Sequence, residues 1–418
     1  MSHPWDRSLA RRLGTGDAVV IGLGAMIGAG VFAAVGPAAQ AAGSWLLLGL
    51  ALAAVVAYAN ATSSAQLAAK HPTSGGTYVF ASRELGPMAG YLAGWGFVVG
   101  KTASLAAMAL TFGAYLWPGA ARPAAVAAVV ALTAVTSRGI TRTARLTRVI
   151  VTVVLASLAV VVAASLLGGQ AELANLAAPA TATATPYGVL QSAGLLFFAF
   201  AGYARLATLG EEVVDPARTI PRAIPLALGL TLVVYALVAV SALLAVGPGE
   251  LARAPAPLAA AVRAGGLAVA APAVQVGATV ASLGVLLSLL VGVSRTVLAM
   301  ARDGHLPRPL ARINDRSVPA VAEVTVAAVV IAIVAVADLR EAIGFSSFAV
   351  LVYYALTNAS ALRLTRAERR WPRGLAWVGL VGCVVLAATL PPVAVVSGAG
   401  VLALGLAAHG VRRWLARR

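Results

Sequence analysis

One cysteine, four histidines and 14 acidic side chains in 418 residues leave this chain little to build bond-breaking chemistry with. Cys383 sits in an apolar stretch, so no intramolecular disulfide can form, and no external loop offers a thiol to a disulfide-linked accessory subunit. His3, His71, His305 and His409 are scattered, and none has a partner at metal-ligand spacing. No nucleophile, base and acid are grouped, and Gly22-Leu-Gly24 with Gly28 misplaces the third glycine of a dinucleotide loop and lacks its strand-turn-helix setting. The chain is therefore expected to be no enzyme and to hold no metal and no cofactor. Charged residues are equally scarce, at 11%, against about 25% in ordinary soluble domains.

What is present is apolar: 60% of the residues are hydrophobic. A membrane helix needs about 20 apolar residues, and about twelve such segments can be drawn. They run over 17–40, 44–66, 86–117, 122–137, 149–168, 186–210, 222–247, 269–300, 318–338, 341–362, 374–391 and 393–410. The sequence predicts an all-α polytopic membrane protein. No cleavable leader is expected, because Arg7, Arg11 and Arg12 precede a segment too long for one. Between the spans, 168–186 and the proline-bearing 247–266 read as polar external loops.

The formal net charge of +17 takes its meaning from its placement. Arg7 to Arg12, Lys70, Arg83, Arg138 to Arg148, Arg218, Arg222, the runs Arg295–Arg316 and Arg363–Arg373 and the basic tail all fall on one side. The other side holds only Arg122, Arg253, Arg263 and Arg340. This asymmetry places both termini in the cytoplasm and the protein in the plasma (inner) membrane. The cations are dispersed over short loops without interleaved aromatics, which excludes nucleic acid as a partner and leaves the lipid bilayer.

Two apolar segments are broken by glycine, Gly24-Ala-Met-Ile-Gly-Ala-Gly-Val-Phe32 and Phe197-Phe-Ala-Phe-Ala-Gly-Tyr203. Non-helical backbone at membrane depth must be buried in protein or line a cavity, since its freed N–H and C=O groups find no water. Breaks at corresponding places in two halves are expected of a secondary transporter with its site between half-helices. Spans one to five and six to ten overlay, each set opening on its broken helix; odd-numbered sets lie inverted in the membrane. The organisation expected is a tail and first repeat over 1–168, a second repeat over 169–362, and two peripheral helices with a basic tail over 363–418.

These pieces, together with Pro72-Thr-Ser-Gly-Gly-Thr-Tyr78, Glu211-Glu-Val-Val-Asp-Pro-Ala-Arg-Thr-Ile-Pro221 and Ser294-Arg-Thr-Val-Leu-Ala-Met-Ala-Arg-Asp-Gly-His-Leu-Pro307, resemble the amino acid–polyamine–organocation superfamily. The resemblance covers most of the first ten spans. It implies a 5+5 inverted-repeat (LeuT-like) transporter fold with broken helices 1 and 6, moving amino acids or related amines.

A free amino acid presents a carboxylate and an ammonium, and a broken helix offers N–H donors for one and C=O acceptors for the other. The amides of Gly28, Ala29 and Gly30, beside Ile27, suit the carboxylate; carbonyls around Met26 and from Phe198 to Ala201, beside Gly202, suit the ammonium. The competing reading of these glycines is helix packing. The resemblance implies that Phe97 contacts substrate, and Lys101 lies one helical turn further along the same face. A charge at membrane depth costs roughly 3 kcal/mol, so Lys101 neutralises an acidic substrate group, serves as a protonatable coupling residue, or bonds backbone carbonyls. For Arg205, anion recognition competes with a salt bridge to Glu211 or Glu212. That acidic pair reads as an inner gate or structural ion pair.

Parts of the family that carry arginine or polyamines place an acid just after the second break, where this chain has Ala204 and Arg205. The function expected is secondary active transport of neutral or acidic amino acids by alternating access, with protons as a candidate coupling ion. The alternatives are an exporter or exchanger of amines or small carboxylates, and a sensor that does not transport.

Overall fold

A computed structural model describes residues 13–71, 75–139, 144–177, 185–203, 206 and 213–415. Among them no β-strand forms; the one β-like contact is an isolated bridge, Leu13 to Val213. The described parts of the twelve apolar segments are largely helical, and residues 204–205 and 207–210 of the sixth lie outside the described residues. Eight helical stretches are long and apolar enough to cross a membrane, and Thr15–Met26, Ala320–Val336 and Arg373–Ala388 are shorter apolar helices. The chain is a polytopic, all-helical membrane protein.

The helices are α1 (Thr15–Met26), α2 (Gly30–Ala42), α3 (Leu46–Lys70), α4 (Thr77–Glu84), α5 (Pro87–Leu116), α6 (Ala121–Thr136), α7 (Ala144–Leu167) and α8 (Ala174–Ala177). They continue with α9 (Pro186–Phe200), α10 (Pro216–Arg253), α11 (Pro257–Ala264), α12 (Ala271–Arg302), α13 (Ala320–Val336), α14 (Leu339–Ala361), α15 (Arg373–Ala388) and α16 (Pro392–Leu415). Local chemistry sets the starts. Thr185 caps α9 by accepting from Gly188 N at 3.1 Å, with Pro186 in the first turn. Asp338 and Glu341 cap α14 reciprocally.

Two packing groups emerge. The first gathers α1, α2, α3, α9 and α10; the second centres on α5, which packs most extensively on α14 and α12 and also meets α6 and α13. Alanine dominates both interiors. Small side chains let helix axes approach closely where no water-driven force operates between them. The α5 span is the most deeply enclosed, 89% of its apolar window being buried.

The stretch read as a loop over 247–266 is mostly helical. The chain kinks at Gly247 (φ 70), stays helical to Arg253, and re-enters helix at Pro257 as α11, whose Leu258, Ala259, Ala261 and Val262 are buried. Proline in a first turn starts a helix as readily as it marks a loop. Leu258 N donates to the Tyr115 hydroxyl, which donates to Phe32 O, both at 3.2 Å, so α11 is tied to α2 through α5. The 168–186 loop likewise carries α8, where Asn175 Nδ2 donates to Leu244 O at 2.9 Å.

Candidate substrate site

The first break opens where Ile27 leaves the helical region at ψ 58 and α2 restarts at Gly30. Met26, Ile27 and Ala29 are at most 2% exposed, and Gly28 and Gly30 are buried. The second break follows α9, where Ala201–Tyr203 tightens into a 3-10 turn; Ala201 is buried and Phe198 and Gly202 are half-buried.

The breaks meet. A Cβ on Gly30 would stand 2.8 Å from Ala199 Cα, and one on Gly202 would stand 2.1 Å from Ala25 O. Glycine is required at Gly202 because the facing atom is backbone, which cannot turn aside as a side chain can. Gly28 faces α12 instead, with Val285 Cγ2 2.5 Å from where a Cβ would be.

Hydrogen bonds account for much of the freed backbone. Gly28 N donates to Met26 O at 2.8 Å, and the Tyr235 hydroxyl of α10 lies 2.5 Å from Met26 O and 3.1 Å from Ala199 O. Tyr235 thus spans both breaks. On the other flank, the Tyr354 hydroxyl of α14 donates to Ala201 O at 3.3 Å, and its ring stacks on Tyr203 at 4.9 Å between centroids. Below Tyr354, Asn358 donates to Asn60 Oδ1 at 2.6 Å and accepts from Ser63 at 2.7 Å, a buried polar network joining α14 to α3. So the Met26 and Ala201 carbonyls, both expected to face a ligand ammonium, accept from tyrosine hydroxyls, and the Gly28 amide is engaged within the break.

Phe97 packs on Tyr353 with centroids 5.6 Å apart. Lys101 is 8% exposed, and among the described residues no hydrogen bond or ion pair engages its ammonium. One turn on, Leu105 borders a shallow apolar niche with Val129, Leu132, Leu286, Leu290 and Val330. Arg205, Glu211, Glu212 and the start of the Pro72 motif lie outside the described residues. In the turn after α12, Asp303 accepts from the Tyr78 hydroxyl.

Sequence reasoning missed Tyr235, Tyr354, Val285, Asn60 and Asn358. Asn60 and Asn358 carried a signal, since polar side chains inside spans normally bond across helices. A tyrosine at membrane depth likewise needs a partner for its hydroxyl.

Broken paired helices in an all-helical membrane bundle define a transporter class, and comparison with known proteins agrees. The amino acid permease family matches residues 13–404. This chain belongs to that family. An uncharacterized transporter of Mycobacterium tuberculosis (strain H37Rv) is 64% identical over 411 residues, 98% of this chain and 93% of the relative. A branched-chain amino acid permease of Bacillus subtilis is 26% identical over 345 residues, covering 74% and 71%. A methylthioribose transporter of Bacillus subtilis is 28% identical over 340 residues, with the same coverage.

Proposed function

We propose that this protein is a secondary active permease for neutral or acidic amino acids, binding substrate where the two helix breaks meet and exposing it alternately to either side. It crosses the plasma membrane twelve times, in two inverted five-helix repeats followed by two peripheral helices, with both termini in the cytoplasm. The observation that carries the reading is the direct contact of the breaks, Gly202 against Ala25 and Gly30 against Ala199. The N-terminus of α2 and the end of α9 are thereby brought to one place, the pairing that a zwitterion of opposite end charges requires.

Lys101 and Arg205 tune charge selectivity or coupling in this reading. The buried ammonium of Lys101 supports a role beyond packing, because an unneutralised cation at membrane depth is costly. Glu211 and Glu212 act at the inner gate. The amino acid relative supports the substrate class, and the methylthioribose relative favours one second reading, carriage of another small polar metabolite by the same site.

The test is ligand-induced thermal stabilisation of the purified protein, screening neutral, acidic and basic amino acids, polyamines and simple carboxylates. A selective rise with acidic ligands, lost in Lys101→Ala or Arg205→Ala, makes these cations substrate ligands. A rise with neutral amino acids alone assigns recognition to the breaks. No rise with any amino acid contradicts the proposal.

A further inference from the structure

A second cluster of ionisable and aromatic groups lies away from the breaks, at the end of the bundle that carries the basic loops. His305, in the turn after α12, and His409, near the end of α16, have ring centroids 5.1 Å apart at 71°. His409 stacks flat on Tyr91 of α5 at 4.1 Å, and His305 meets Tyr91 and Tyr78 edge-on at 5.4 and 6.1 Å. The Tyr78 hydroxyl donates to Asp303 and lies 3.1 Å from His305 Nδ1. Backbone contacts close the cluster: Tyr91 donates to Gly405 O at 2.7 Å, and Arg412 donates to Leu306 O at 3.3 Å. Four elements, α4, α5, the α12 turn and α16, thus meet around two imidazoles.

Charged groups near the pair include Asp303 from the α12 turn and Arg412 from α16, and the phenols Tyr78 of α4 and Tyr91 of α5 face it. A first proton is tolerated, because Asp303 stands one hydroxyl away from His305 and the tyrosine ring faces accept a cation. A second proton is opposed. It would place two cations within about one ring's breadth of each other, beside Arg412, so the pair must titrate as a coupled unit. Imidazole changes charge between about pH 5 and pH 8.

We propose that His305 and His409 form an acid sensor on the cytoplasmic face: with at most one proton they latch the end of α16 onto α5 and the α12 turn, and the second proton opens the latch and changes the transport rate. This rests on the permease reading and on the orientation taken from loop charge.

The latch itself is tested without substrate, by hydrogen–deuterium exchange on the full-length purified protein at about pH 7.5 and about pH 5.5, corrected for the intrinsic pH dependence of exchange. Residues 403–415 of the wild type are expected to lose protection about tenfold at the lower pH, while His409→Gln and His305→Gln, each lacking one of the two charges, lose none. Two variants guard against one failing to fold. Equal protection at both pH values in the wild type, or a loss that persists in both variants, overturns the latch. Uptake into liposomes with the cytoplasmic-face pH varied supplies the second arm: a pH-dependent rate flattened in the variants is expected, and an unchanged profile overturns the regulatory claim. Absence of amino acid transport together with pH-dependent protection would sink the permease reading and leave the latch standing.

Discussion

Gly202 and Lys101 show how much single positions carry. A methyl group at Gly202 cannot be accommodated by rotamer change, because the atoms it meets are Ala25 O and Met26 N. Gly202→Ala is expected to destabilise the fold by about 1–3 kcal/mol or more, seen as a lowered Tm. An unchanged Tm would mean that the breaks do not touch. Lys101→Met keeps the bulk and removes the charge. If the ammonium is held for function, this variant melts at or above the wild-type temperature, since a buried cation at membrane depth costs roughly 3 kcal/mol, yet loses substrate binding or transport. Full retention of both removes Lys101 from the mechanism. At Tyr235 the hydroxyl serves two carbonyls, so Tyr235→Phe leaves Met26 O and Ala199 O short of a donor and is expected to cost about 1–3 kcal/mol, measured as a fall in Tm.

Among the elements, α4 is held by charge as well as by its buried Phe80 and Ala81. Glu84, at its end, meets Lys70 and His71, each at 2.7 Å, and Lys70 also reaches Glu368 at 3.1 Å. Burial pushes the Glu84 carboxyl up, but the bonds and charges of Lys70 and His71 outweigh it, and its pKa lies below the ordinary carboxylate range. A carboxyl with a depressed folded pKa contributes stability above its unfolded pKa and loses it as pH falls through the folded value. Glu84→Gln is therefore expected to lower the Tm at neutral pH, with the gap to wild type closing in acid; a pH-independent gap would contradict the ion-pair account. The elements also show what a sequence discloses. The breaks after α1 and after α9 were legible because glycines interrupt apolar runs where no water can satisfy the backbone. Helix α11 was not, because Pro257 reads locally as a loop marker and its burial depends on α2 and α5, distant in sequence. Tyr235 and Tyr354 escaped for the same reason: their hydroxyl partners lie 209 and 153 residues away.

In the whole molecule, the group containing α1, α2, α3, α9 and α10 bears both breaks, and the group around α5, α12 and α14 faces it through Val285 and Tyr354. Rocking of one group against the other would expose a ligand held at the breaks to each side in turn. The central claim is that substrate sits at those breaks. Native Cys383 is buried, so a cysteine placed at half-buried Phe198 can be followed against a quiet background. The measurement is the rate at which a thiol reagent labels Phe198→Cys, with and without the amino acid that most raises the wild-type Tm, beside a control cysteine at exposed Val269. The account predicts that ligand slows labelling at position 198 and leaves position 269 unchanged. Equal rates at position 198 with and without a ligand that still stabilises the variant would place the substrate elsewhere.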